Sequence, residues 1–175
     1  MIDAGGNPWL AMALNNAWAN RTLYDAVQGL SQDAFIADRP GFFPSLCKTL
    51  NHVYEVDLYY IDSLEAGGRG LAVYDRDEVR DAAALSVLQA EADMHFAAFC
   101  RAMTPERLHE TRVTERDEGR IEETVAALIL HLVQHQVHHR GQAHVQLQDA
   151  GVAPPQLDEF YLEYDRAETA GGYWR

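Results

Sequence analysis

Residues 122–150 read EETVAALILHLVQHQVHHRGQAHVQLQDA. Val125, Leu128, Ile129, Leu132, Ala143, Leu147 and Ala150 recur at the three-and-four spacing of one helical face, centred ~110° from His131 on a wheel of ~100° per residue. Gly151 then offers a C-terminal cap and Pro154-Pro155 blocks continuation, so the spacing predicts one long helix from near Glu122 to Ala150. Five of the eight histidines (His131, His135, His138, His139 and His144) fall within this stretch. The same wheel places His135 at ~40°, His138 at ~340°, His139 at ~80° and Gln142 at ~20°, a shared face on which His139 and then His135 lie nearest the apolar stripe.

Three further long helices are predicted upstream. Asn7-Pro8 supplies an N-cap and a first-turn proline, and apolar residues from Trp9 recur to about Leu30. The polar stretch 31–41, with Pro40-Gly41 as a turn signal, reads as a connection. A second helix spans Pro44 or Ser45 to about Glu65, with His52 on the flank of its stripe and Asp57 inside it. Residues 66–77 form a loop, because Gly67-Gly68-Arg69-Gly70 lacks the spacing of a phosphate cradle. A third helix covers Asp77 to Met103 and is stopped by Thr104-Pro105. Residues 110–121 alternate weakly around a turn signal, as a short hairpin or a loop. Gln156 to Tyr164 is expected as a short helix with Phe160, Tyr161 and Tyr164 available for packing, and residues 171–175 as a loosely held end. The sum is an all-α four-helix bundle in a single domain over residues 1–175.

Imidazoles four residues apart stand on adjacent turns with their rings on one side, which is what a transition metal requires. His131/His135 and His135/His139 both meet this spacing, and the wheel favours the deeper pair. The third ligand must come from another helix, where His52 is the best placed; His95, His109 and His144 have no special role. His135-Gln-Val-His-His139 has the spacing of a zinc-protease motif, but Gln136 stands where the catalytic Glu belongs, so that chemistry is excluded. Diiron bundles need Glu-x-x-His pairs that the last helix lacks. Asp57 reads as a cross-helix hydrogen-bonding residue and Arg140 as a helix-surface or salt-bridge residue. His131 and His138 are neighbours of the ligands.

Gly41-Phe-Phe-Pro-Ser-Leu-Cys-Lys-Thr-Leu-Asn-His-Val-Tyr-Glu-Val-Asp57, followed far downstream by His131-Leu-Val-Gln-His-Gln-Val-His-His-Arg-Gly-Gln142, resembles the DinB family of damage-inducible-type proteins. That family lies within a wider DinB/YfiT-like group with bacillithiol and mycothiol S-transferases and a mycothiol-dependent maleylpyruvate isomerase. The resemblance covers most of the chain. It implies an up-down-down-up bundle, often a homodimer, holding one divalent metal ion, zinc or nickel, on three histidines that match His52, His135 and His139. The implied activity is that of a metal-dependent hydrolase or a low-molecular-weight-thiol transferase acting on a small molecule such as a thiol, with Arg140 or Gln142 assisting. The competing expectation is a non-catalytic metal-binding or stress-response module.

Composition narrows the partners. Lys and Arg total 14 against 27 Asp and Glu, a formal net charge of −13 that repels nucleic acid and anionic membrane surfaces. Forty-seven per cent hydrophobic and 23% charged residues fit an ordinary domain with a real core. Cys47 and Cys100 are too few and too distant for a disulfide framework and read as reduced core thiols. With no basic leader before the first apolar stretch, a cytoplasmic location is expected. Tyr173 and Trp174 are candidate aromatic contacts for a partner subunit.

Overall fold

The Asn7 side chain accepts hydrogen bonds from the Trp9 and Leu10 N–H groups and so starts helix α1, Pro8–Val27. The structure is a computed structural model that describes residues 6–116, 119–162 and 165–174. α1 stops three residues before the expected Leu30, where the Gly29 and Leu30 N–H groups turn back onto the Ala26 and Val27 carbonyls. The predicted connection that follows contains a short helix, α2 (Gln32–Ile36), capped by Ser31 and pinned by fully buried Phe35.

α3 (Leu46–Glu65) is capped at its start by Ser45 and ends at Ala66, whose left-handed φ of 55° reverses the chain into Gly67. The 66–77 loop carries a tight 3₁₀ turn over Gly70–Tyr74. α4 (Ala82–Arg101) starts five residues later than the sequence suggests. The cause is Asn51, whose side-chain amide donates to the Val79 carbonyl at 2.8 Å while its oxygen accepts the Val79 N–H at 2.9 Å. That two-way pairing holds Val79 out of the helix, and the Asp81 side chain then caps the Ala84 N–H.

After the single turn α5 (Pro105–Leu108), residues 110–121 take the hairpin alternative rather than the loop. β1 (Thr111–Arg116) pairs antiparallel with β2 (Gly119–Thr124), Val113 lying opposite Glu122; the turn residues 117 and 118 are outside the described residues. Residues 122–124 are drawn into this sheet, so α6 begins at Val125 rather than Glu122 and runs to Asp149. Residues 156–162 form no helix, contrary to expectation, although Phe160 is buried against Trp18 with ring centroids 5.6 Å apart; Tyr164 lies outside the described residues. Residues 171–174 are also held rather than loose, and Arg175 lies outside the described residues. A 3₁₀ turn over Asp165–Ala170 leads into α7 (Gly171–Trp174), Ala167 and Ala170 are buried, the Trp18 indole N–H donates to Thr169 at 2.9 Å, and Tyr173 packs against the core.

The long helices form a ring in the order α1, α4, α3, α6. Asn7 at the start of α1 donates to the Cys100 carbonyl near the end of α4, so these two run antiparallel. Asp57 meets Gln89 and Glu65 meets His95, so α3 and α4 run parallel. Thr49 meets Gln146 and Tyr60 meets His131, so α3 and α6 run antiparallel. The result is an up-down-down-up four-helix bundle whose core joins Leu23, Tyr24, Leu50, Leu64, Leu85, Leu128 and Leu132. Both cysteines are buried free thiols in it. Among the described residues no helix is long and apolar enough to cross a membrane.

Candidate metal centre

Antiparallel packing of α3 against α6 places His52 beside two successive turns of α6. Each of His52, His135 and His139 offers one ring nitrogen, and the three nitrogens lie within 4.8 Å of one another. The Nε2 atoms of His52 and His135 are 3.0 Å apart. His131, one turn earlier, lies outside this trio, with its ring 6.2 Å from that of His135 and 4.7 Å from Tyr60. Of the two four-residue registers in the sequence, the structure gathers His135/His139 with His52. His95 instead pairs with Glu65, His144 bonds the Pro155 carbonyl, and His109 is exposed.

The three rings are built to stay neutral. Burial, followed by proximity to His139, holds His52 down to about 4. Burial and the surrounding imidazoles hold His135 down to about 3, and burial lowers His139 as well. Neutral imidazole is the ligand form. Gln142 sets the tautomer of His139: its side-chain oxygen accepts from His139 Nδ1 at 2.8 Å, which leaves the lone pair on Nε2, while its amide donates to His138 Nε2 at 3.0 Å. Zinc–nitrogen bonds of ~2.0–2.1 Å at tetrahedral angles need nitrogens ~3.4 Å apart, close to the spacing of the His52–His135 pair. His135 Nδ1 is buried without a hydrogen-bond partner among the described residues. The trio fits one ion of imidazole-seeking character.

Phe43 covers one side of the cluster, its ring 4.5 Å from His52 and 5.7 Å from His139. Gln146 fixes it by donating to the Phe43 carbonyl at 2.7 Å while accepting from Thr49 at 2.7 Å. The opposite side opens into a cavity of about 480 Å³ shared with Tyr59, Tyr60, Tyr74 and Arg116. Sequence reasoning named none of these four. Arg116 lies on β1, and its guanidinium donates to the Tyr60 hydroxyl at 2.6 Å and to Glu123 at 2.8 Å. Tyr59 docks the hairpin, accepting the Glu115 N–H at 2.7 Å and donating to the Glu115 carbonyl at 2.8 Å.

The profile of the DinB family matches residues 1–170. The chain belongs to the DinB family. Protein DinB of Bacillus subtilis (strain 168) is 24% identical to it over 161 residues, which span 89% of this chain and 94% of that protein. The crystal structure of a DinB-like protein from Bacillus cereus ATCC 10987 superposes with a TM-score of 0.67 at 16% identity, over 85% of this chain and 94% of that one. A second DinB-like crystal structure, from Bacillus subtilis, gives 0.62 at 19% identity, over 83% and 92%. At these identities the two structures share the fold.

Beside the histidines this DinB chain carries a buried polar layer to which every long helix contributes. Asp57 of α3 accepts from Gln136 and, at 2.6 Å, from Gln89. Asp93 of α4 accepts from Asn16 at 3.2 Å, Asn20 at 2.9 Å and Gln89 at 3.1 Å. Of the two roles expected of Arg140, helix surface or salt bridge, the surface one is excluded: it is 5% exposed and donates to Asn16 at 2.5 Å, Asn20 at 3.0 Å and Gln136 at 3.2 Å. Burial draws its pKa down to about 10, against the pull of Asp93 and Asp57, so it stays charged at neutral pH. Asp57 has the cross-helix role expected of it, with burial and then Asp93 raising its carboxyl well above the ordinary range.

Proposed function

We propose that this DinB-family chain binds one divalent metal ion, zinc or nickel, through His52, His135 and His139, and acts as a metal-dependent hydrolase or low-molecular-weight-thiol transferase on a small molecule held in the adjoining cavity. The observation that carries this reading is the convergence of three imidazoles, from two helices, on a cavity whose wall is rich in aromatic side chains. A divalent ion on three imidazoles retains an open position and supplies Lewis acidity that lowers the pKa of a water or thiol. The chain's own residues do the rest. Gln142 fixes the proton of His139 on Nδ1. Phe43 closes the side away from the cavity, so that access is from the Tyr59/Tyr60 side. Tyr60 receives an Arg116 hydrogen bond on its oxygen, which turns its own proton toward other acceptors.

Three of four imidazole-type positions filled by protein, with room beside the fourth, is the pattern of a catalytic rather than a closed structural site, which favours the enzyme over the non-catalytic metal module. The test uses protein purified without a histidine tag and loaded with zinc or nickel. Elemental analysis is expected to find about one ion per chain in the wild type and far less in His52→Ala and His135→Ala. Loaded protein is then assayed with bacillithiol, mycothiol, glutathione and simple esters. Equal metal contents in wild type and variants overturn the site, and absence of metal-dependent turnover on all of these substrates overturns the activity.

A further inference from the structure

We infer that the cavity beside the histidine cluster selects a small molecule bearing a carboxylate, and that Arg116 on the hairpin, seconded by the Tyr60 hydroxyl, is the group that recognises it. This rests on the reading that the cavity is the substrate site, and adds to it the class of ligand.

Among the described residues lining the cavity, Arg116 is the one Lys or Arg. Its guanidinium is already oriented: one Nη donates to Tyr60, the other to Glu123, and the group stands 5.5 Å over the Tyr60 ring. Those two bonds use two of a guanidinium's five N–H donors, and the planar fork matches a carboxylate. The acid that also lines the cavity, Glu115, is committed elsewhere: its side chain accepts the Leu71 N–H at 3.1 Å and pairs with Arg120 at 3.4 Å. An anion reaching this side of the cavity therefore meets one fixed side-chain cation, at one end of a wall formed by Tyr59 and Tyr74, whose rings stack at 5.5 Å. One guanidinium with one hydroxyl suits a planar monoanion; a phosphate group would call for more cations or a helix N-terminus. On a chain of net charge −13, a fixed side-chain cation favours a small acid whether or not a metal is bound.

The experiment keeps the metal out of the measurement. Metal-free protein is titrated with phenylacetate and with phenylacetamide, which share a ring and differ in charge, and binding is followed by NMR. The wild type is expected to prefer the acid by about tenfold or more. Arg116→Gln should erase the preference, and Glu123→Gln, which frees the guanidinium from its internal partner, should strengthen it; the second variant leaves Arg116 in place, so the two do not fail together. Circular dichroism checks that both are folded. Equal affinity for acid and amide in the wild type, or a preference unchanged in both variants, overturns the inference. Metal stoichiometry in His52→Ala tests the metal site separately, so each reading can fail without the other.

Discussion

Replacing Arg140 by methionine is expected to cost about 3–5 kcal/mol of folding stability, the range found when one partner of a buried ionic cluster is removed. Methionine keeps much of the length and apolar stem, so little of this loss is cavity. The loss arises from what the guanidinium leaves behind. The Asn16, Asn20 and Gln136 side-chain oxygens lose their donor, and the carboxyls of Asp57 and Asp93 lose the cation that offsets their desolvation. An orphaned buried acceptor costs about 1–3 kcal/mol alone, and the three are coupled, so their sum overstates the effect. For a chain of 175 residues each kcal/mol corresponds to about 3 °C, which converts the range to a fall of about 9–15 °C in Tm. Urea unfolding followed by tryptophan fluorescence reads it out, since Trp18 is buried in the core on α1. Asp93→Asn should cushion the change, with a coupling of about 0.5–3 kcal/mol between the two positions. A loss below about 1 kcal/mol, or the same loss in the Asp93→Asn background, refutes the assignment of Arg140 as counter-ion of this layer.

Three further outcomes are expected. Burial pushes the Asp93 carboxyl up to about 6, against an ordinary value of 3.8, with the Asn20, Gln89 and Asn16 amides and Arg140 opposing it. The native state then binds an extra proton between those two values, so the contribution of Asp93 to stability declines by about 3 kcal/mol as pH rises from about 4 to about 6. The difference between wild-type and Asp93→Asn unfolding free energies should trace that decline, and a flat difference contradicts it. Zinc at about 100 times its Kd should raise Tm by about 8 °C, equivalent to about 2.7 kcal/mol, and His139→Ala should abolish the shift in a calorimetric scan. Tyr59→Phe removes both hydrogen bonds that hold the Glu115 backbone of β1 and should cost about 1–2 kcal/mol. Hydrogen exchange should show faster exchange at Glu115 and its strand neighbours, and unchanged protection there counts against the docking role.

The histidine trio was legible because α3 and α6 are regular, amphipathic and antiparallel, so angular position on a wheel translates into depth. The ends of the helices were less legible. The start of α4 is displaced by Asn51, a residue far upstream that captures the backbone of Val79, and no local pattern announces that. The burial of Arg140 was hidden for a different reason. On the wheel it lies only ~70° from the centre of the apolar stripe, but its type argues for the surface. Its burial is made tolerable by Asn16, Asn20 and Gln136, and two of those stand on a helix more than a hundred positions away. Arg116 and Tyr60 likewise meet across 56 positions, joined only once the hairpin folds over α3.

The hairpin contributes none of the three imidazoles, yet it brings Glu115 and Arg116 to the cavity wall. It is fastened to α3 in two ways: Tyr59 holds the Glu115 backbone, and the strand side chains of Arg112 and Arg116 reach the Leu64 carbonyl at 2.8 Å and the Tyr60 hydroxyl at 2.6 Å. The Tyr59 anchor is indifferent to which side chains the strands carry, and Arg112 points away from the cavity wall. With Arg112 kept, the other strand positions can therefore be changed to re-address the cavity to a different molecule while the histidine cluster and the bundle beneath it stay as they are.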